Sequence, residues 1–318
     1  MHTWRIARPF VLCCTLLLAS WPAFAVNSDA LPRSAAKALD ADKVCTSCHD
    51  SSYPEPVLDI YQTPHGVTGD PKTPLCQSCH GDSKKHIQDA SVPPDVVFGD
   101  RATVKGIKGR QMIFKPSAPS VQNKECLSCH EGGLRTHWVG SQHQVNGLAC
   151  ATCHSVHLPK DPILTRANQR EICFDCHKEQ QADSHKFSTH PLDAGKIVCS
   201  DCHNPHGSTG PKLLKKNTVN EVCWQCHADK RGPFLWEHQP VTEDCTNCHT
   251  PHGSNISPLL KDRPPFLCED CHNGPHQSSD AIGPGLTGSA PNAPGRACLN
   301  CHVMIHGSNS PAGAFLHR

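Results

Sequence analysis

A chain of 318 residues with only 5% aromatic side chains, 28 prolines and 22 glycines lacks the apolar bulk for an ordinary core of its length. Its 30 basic and 29 acidic residues give a formal charge of +1 without a basic stripe, which argues against a nucleic-acid partner. The unusual content is 22 cysteines and 24 histidines, so the chemistry must be sought there.

The chain opens on Arg5 and Arg8, an apolar run over residues 10–19, and Ala23-Phe24-Ala25. A charged start, a short apolar stretch and a small-residue cleavage site predict a secretory signal over residues 1–25. The run is too short for a spanning helix, and no later stretch approaches the ~20 apolar residues that one needs. Cys13 and Cys14 lie inside the apolar run, away from the cleavage site, so no lipid anchor is expected. The sequence thus predicts an exported protein without a membrane helix. Loss of Arg5 and Arg8 leaves it with one more acidic than basic residue.

All other cysteines fall in ten copies of Cys-x-x-Cys-His, arranged as five two-motif modules with one histidine between the motifs and one behind them. The first module has Cys45, Cys48, His49 and Cys76, Cys79, His80, with spacer His65 and trailing His86. The second has Cys126, Cys129, His130 and Cys150, Cys153, His154, with His143 and His157. The third has Cys173, Cys176, His177 and Cys199, Cys202, His203, with His190 and His206. The fourth has Cys223, Cys226, His227 and Cys245, Cys248, His249, with His238 and His252. The fifth has Cys268, Cys271, His272 and Cys298, Cys301, His302, with His276 and His306.

The modules repeat after 81, 47, 50 and 45 residues. The excess in the first interval lies over residues 81–125, which read as a connection with one anchored strand, or as a hairpin or docking loop. Residues 277–297, rich in Gly, Pro and Ser, read as a surface loop. Asn204-Pro205-His206-Gly207-Ser208 recurs as Thr250-Pro251-His252-Gly253-Ser254 and, shortened, as Ile305-His306-Gly307-Ser308; the first two lead on to Leu213-Leu214-Lys215 and Leu259-Leu260-Lys261. Helices are expected before motifs, over residues 166–177 and 218–227, with a helical turn in the motif itself and little β structure.

Cys-x-x-Cys-His is the attachment signature of c-type haem, in which two thiols bond the porphyrin and the adjacent histidine supplies the proximal ligand. Rival readings fail on the histidines. A zinc ribbon needs paired Cys-x-x-Cys knuckles but no histidine after each, and a thioredoxin-type motif occurs once, on a βαβ unit. Ten disulfides would suit an exported chain but leave ten matched histidines without a role. Porphyrin also supplies the apolar bulk that the composition lacks, so the haem-free chain is expected to be largely unfolded.

The ligand count then decides the chemistry. The ten motif histidines are proximal, and the ten spacer and trailing histidines give one distal candidate per haem. His2, His137, His185 and His317 remain, and His137 or His185 could take the place of its neighbour His143 or His190. After Met1, only Met112 and Met304 could compete. Ten haem c groups with two histidines each are low-spin and leave no open coordination site, so the reading is an electron carrier and no catalytic residue is assigned. Which distal histidine serves which haem stays open, because a trailing histidine can reach a neighbouring porphyrin.

On these residues the chain resembles the decahaem cytochromes of the MtrA, PioA, MtoA and DmsE type. The likeness rests on the ten motifs, Cys76-Gln77-Ser78-Cys79-His80-Gly81, Pro94-Asp95-Val96-Val97-Phe98-Gly99 and Asn204-Pro205-His206-Gly207. It implies a mostly irregular multihaem cytochrome c with short α-helices: an elongated haem wire in two pentahaem halves, residues 26–182 and 183–318. It further implies a protein on the periplasmic side, seated in an outer-membrane β-barrel porin. Its partners would be periplasmic or inner-membrane cytochromes and an outer-face multihaem cytochrome. A wire without a membrane helix can cross about 30 Å of hydrocarbon only inside a barrel. Two alternatives stand beside this conduit: a soluble periplasmic shuttle for a partner reductase, and a multihaem reductase. The direction of flow also stays open, inward for oxidation of external Fe(II) or outward for reduction of Fe(III) oxides or another external acceptor.

Overall fold

The structure is a computed structural model and describes residues 33–53, 56–67, 73–99, 114–272, 298–311, 313, 315 and 316. The expected signal, Met112, His276, the loop 277–297 and His317 lie outside the described residues. Eleven short α-helices are described: α1 (Arg33–Thr46), α2 (Cys76–His80), α3 (Lys84–Gln88), α4 (Pro119–Leu127), α5 (Gln142–Val145), α6 (Arg166–Phe174), α7 (Lys178–Asp183), α8 (Cys199–Cys202), α9 (Val219–Cys223), α10 (Gln239–Glu243) and α11 (Phe266–Glu269). None is long and apolar enough to cross a membrane. Among the described residues there is no sheet, only four isolated antiparallel bridges.

The helices expected before motifs are present but shorter, as α6 and α9. Thr218 starts α9 with a capping box, its hydroxyl accepting from the Glu221 N–H while Glu221 reaches back to the Thr218 N–H. Pro119 starts α4, where its fixed φ suits the first turn. Beyond the regular helix, the motif closes as one helical turn. The histidine N–H bonds the carbonyl of the first cysteine at 2.9–3.1 Å in nine motifs, and the other motif is α2 itself. That turn puts the first cysteine and the histidine on one side of the backbone.

The first four pairs of motifs are each locked by a side chain just before their first cysteine. Asn123 accepts from the Cys150 N–H at 2.7 Å and donates to Leu148 O, and Asn220 accepts from the Cys245 N–H at 2.7 Å while donating to Val241 O and Thr242 O. Asp42 does the same for Cys76, and Gln169 for Ser200. Asp42, Asn123 and Asn220 are buried, so these bonds are made away from water. Arg166 of α6 adds a two-pronged pair to Asp201 of α8, at 3.1 and 2.8 Å.

The long first interval returns on itself. Val97 and Ser117 exchange hydrogen bonds, and buried Gln122 bonds both Gly99 and Ser117. No strand is described over residues 81–99 or 114–125; a short helix, α3, that the sequence did not announce lies there instead. The buried apolar residues, among them Val96, Trp138, Phe174, Val198, Val222 and Leu260, are scattered along the chain. A structure held by polar braces and so thin a core depends on what fills the spaces between the motifs.

Replacing Asn220 by Ala leaves the Cys245 N–H and two carbonyls short of a buried partner, at a cost of about 1–3 kcal/mol. The denaturant midpoint of the N220A holoprotein should fall accordingly; an unchanged midpoint would remove Asn220 from the framework.

Candidate functional site

The thiols run along the structure in chain order. The first cysteines of the two motifs in each pair touch: Cys45 with Cys76, Cys126 with Cys150, Cys173 with Cys199, Cys223 with Cys245 and Cys268 with Cys298. The last cysteine of a motif pair then lies near the first motif of the next, as Cys79 does to Cys126, Cys153 to Cys173, Cys202 to Cys223 and Cys248 to Cys271.

Nine motif histidines each face one non-motif histidine. Spacer histidines reach forward to the first motif of the next pair: His65 to His130, His143 to His177, His190 to His227 and His238 to His272, with ring centroids 5.8, 6.1, 6.4 and 6.1 Å apart. Trailing histidines reach back to the second motif of the previous pair: His157 to His80, His206 to His154, His252 to His203 and His306 to His249, at 6.2, 6.0, 6.1 and 6.2 Å. At the N-terminal end the rule changes, and His86 faces His49 of its own pair at 6.1 Å. His137 and His185 form no such pair among the described ring contacts; His143 and His190 take those places.

This spacing has a physical meaning. An imidazole–metal bond is about 2 Å, so two imidazoles on opposite sides of one metal have ring centroids about 6 Å apart. Among the described residues no group of three or more His, Cys, Asp or Glu could hold a metal. Two axial nitrogens per site suit a metal whose other ligands come from a porphyrin and do not suit a four-ligand zinc centre.

The second nitrogen of many of these rings is fixed. Nδ1 of His80, His203, His249 and His302 donates to the carbonyls of Val96, Lys212, Pro258 and Phe315 at 2.6–3.0 Å. His154 Nδ1 instead donates to the Asp161 carboxylate at 2.6 Å. Holding the proton on Nδ1 leaves Nε2 as the lone-pair donor towards a metal. Burial pushes His80, His157, His203, His252 and His306 below the ordinary 6.5, and it takes His206, beside His154, down to about 4. A lowered imidazole value keeps the ring neutral and able to ligate, a state favoured above 6.5 and lost as pH falls towards 4.

Two repeated sequence segments now have a geometric role. Nδ1 of His143, His190 and His238 donates to the carbonyls of Pro205, Pro251 and Ile305, each the residue just before a trailing histidine. One turn thereby accepts from a forward-reaching histidine and aims a backward-reaching one. Gly207 and Gly253 follow with φ of +109° and +155°, and a methyl there would lie 2.0 Å from His137 O and 1.9 Å from Asp183 O. The Leu-Leu-Lys segments fold back over the second motif: Leu214 bridges His203 and Leu260 bridges His249. That fold-back presents the carbonyls of Lys212 and Pro258 to Nδ1.

Among the described residues, four buried nitrogens have no protein partner: Nδ1 of His49 and His206, Arg135 Nε and Trp138 Nε1. The Trp138 ring lies 6.4 Å from that of His206, and Arg135 is close enough to act on its charge. Unpaired N–H groups beside a ligand pair fit a group that brings its own acceptors, as haem does with its propionates. Asp42, Asn123, Gln169, Asn220, Asp161 and Arg135 are the site residues that motif counting missed. The recurrence of Asn three residues before Cys126 and Cys223 was the one signal available for them.

The comparisons agree with this geometry. A family described as a doubled CXXCH motif matches residues 190–232 and 238–279, and one described as cytochrome c-type protein NrfB-like matches residues 76–172. The chain is similar to the multiheme cytochrome MtrA of Shewanella baltica (strain OS185), with 44% identity over 86% of this chain and 80% of that protein. It is also similar to the cytochrome c-type protein NrfB of Escherichia coli O6:H1, 28% identical over 45% of this chain and 68% of that protein. NrfB of Haemophilus influenzae is 29% identical over 45% and 67% respectively.

The ring planes divide the pairs. Those at His80, His154, His203, His249 and His272 lie within 13–26° of parallel, those at His130, His177 and His227 are turned by 51–72°, and that at His49 lies between them at 35°. With iron between them, parallel and crossed planes split the d orbitals differently. EPR of the oxidised protein should therefore resolve two classes of low-spin signal; a single class would contradict these ring angles. On acidification the low-spin spectrum should hold at pH 6.5, and high-spin character should appear only below it.

Proposed function

The chain belongs to the MtrA-type multihaem c-type cytochromes, and from that premise we propose that it binds ten bis-histidine haems as an electron conduit through the outer membrane. That it is an electron-transfer cytochrome with covalent haem c, and not an enzyme, follows from its family and its Cys-x-x-Cys-His motifs. Bound haem supplies one-electron chemistry between Fe(III) and Fe(II).

The observation that carries the proposal is the reciprocal set of histidine pairs at about 6 Å spacing, in chain order along the thiol row. The motif cysteines tether each haem, the motif histidines ligate from one side, and His86, His157, His65, His206, His143, His252, His190, His306 and His238 ligate from the other, in motif order. His276, the one distal candidate left over, is assigned to the last motif beside His302. At the N-terminal end the array closes on itself, with His86 facing His49 within the first module. With both axial positions filled, substrate has no iron to bind, and the protein's task is to hold its cofactors in a row.

The five modules make two pentahaem halves, 26–182 and 183–318, tied together by His206 reaching back to His154 and by the Arg166–Asp201 pair. No described helix can cross a membrane, so a wire of this kind reaches the far side only within a β-barrel. The proposal therefore assigns a porin partner, a periplasmic entrance served by periplasmic or inner-membrane cytochromes, and an exit towards an outer-face multihaem cytochrome.

Purification of tagged protein from detergent-solubilised outer membrane should recover a β-barrel porin in stoichiometric amount. Recovery only from soluble periplasm, without a barrel, would replace the conduit by a periplasmic shuttle. The ligation is tested separately. His206→Ala should turn one haem in ten high-spin, at the motif of Cys150 and Cys153, while intact-protein mass still counts ten haems. An unchanged low-spin spectrum would break the cross-module assignment.

A further inference from the structure

We propose that Asp161 is a redox-tuning residue: its carboxylate, bonded to Nδ1 of His154, lowers the reduction potential of the haem at the fourth motif. The inference rests on the reading that His154 and His206 are the axial pair at that site.

The repeats supply the comparison within one molecule. At the second motif of every other pair, the proximal histidine donates Nδ1–H to a neutral backbone carbonyl, at Val96, Lys212, Pro258 or Phe315. At His154 the acceptor is a charged side chain, at 2.6 Å. The cause is a change in loop length. Nine residues separate His203 from Lys212 and His249 from Pro258, but only seven separate His154 from Asp161. The shorter return brings Asp161 itself, not a carbonyl, to the imidazole.

The carboxylate is held for this contact. Its Oδ1 accepts from the Ser155 N–H at 3.2 Å while Oδ2 accepts from the imidazole Nδ1–H, and Pro162 begins a 3₁₀ turn (Pro162–Leu164) that fixes the backbone beyond it. The side chain is only 13% exposed, and it bonds the His154 ring. An ionised carboxylate can only accept, so the proton stays on Nδ1 and Nε2 carries the lone pair. A full negative charge on the far side of the ring makes that lone pair more basic than a carbonyl does. A more basic axial nitrogen favours the ferric form, which carries one more positive charge than the ferrous, and the potential falls.

The test compares the holoprotein with its D161N and D161E variants by spectropotentiometric titration and EPR, with haem counted by intact-protein mass. In D161N the neutral amide keeps an acceptor in place but removes the charge. One-tenth of the haem absorbance should then titrate higher, by about tenfold in the ferric–ferrous equilibrium, or 59 mV for one electron. One low-spin EPR signal should move with it, and D161E should stay near the unmodified protein. Superimposable titrations with all ten haems retained would overturn the tuning role. Loss of a haem in D161N would overturn it too, in favour of a role in assembly. A site that is not bis-histidine in the unmodified protein would instead overturn the axial-pair reading beneath it, a result that its EPR shows before any variant is made.

Discussion

The structure depends on the exchange of histidines between neighbouring motif pairs. Each inner pair sends one imidazole forward, such as His143 to His177, and one back, such as His157 to His80. No pair is complete alone. On the proposed ligation, the histidine that closes one site is anchored in the next, so each metal–ligand bond would also hold neighbours together. A chain with 5% aromatic residues and a scattered core gains from this a connectivity that apolar packing does not supply.

The Pro-His-Gly turns are the joints of that exchange. At Pro205 and Pro251 the carbonyl receives a histidine coming forward while the next residue points back. Glycine is required at 207 and 253 because the turn is pressed against the His137 and Asp183 carbonyls at positive φ. Buried amides at Asn123 and Asn220 do a different task, fixing the two motifs of one pair against each other. Pairing within modules is thus polar and local, and pairing between modules runs through the axial rings and these turns.

Regular secondary structure has little part in this. One turn of helix suffices to set the first cysteine and the histidine of a motif together, and the longer helices α1, α4 and α6 lead the chain into it. The helices predicted over residues 166–177 and 218–227 end at or near the first cysteine, and the motif beyond closes as a single helical turn.

Residue spacing alone fixed the chemistry. Ten Cys-x-x-Cys-His segments state covalent attachment and one axial ligand each, because the thiols and the imidazole act within five consecutive residues. The pairing of motifs was legible for the same reason, since spacer and trailing histidines recur at short range. Which distal histidine serves which site was not legible, because the partners are up to 77 residues apart, as His80 and His157 are, and sequence distance carries no direction. Only the fold separates His143 from His137 and His190 from His185, since each pair lies within six residues along the chain. The carboxylate at Asp161 was hidden in the same way: two fewer residues in one loop read as a trivial gap, but in three dimensions they exchange a neutral acceptor for a charge. Bonds made along the chain are written in its spacing, whereas bonds made across it are decided by where the backbone returns.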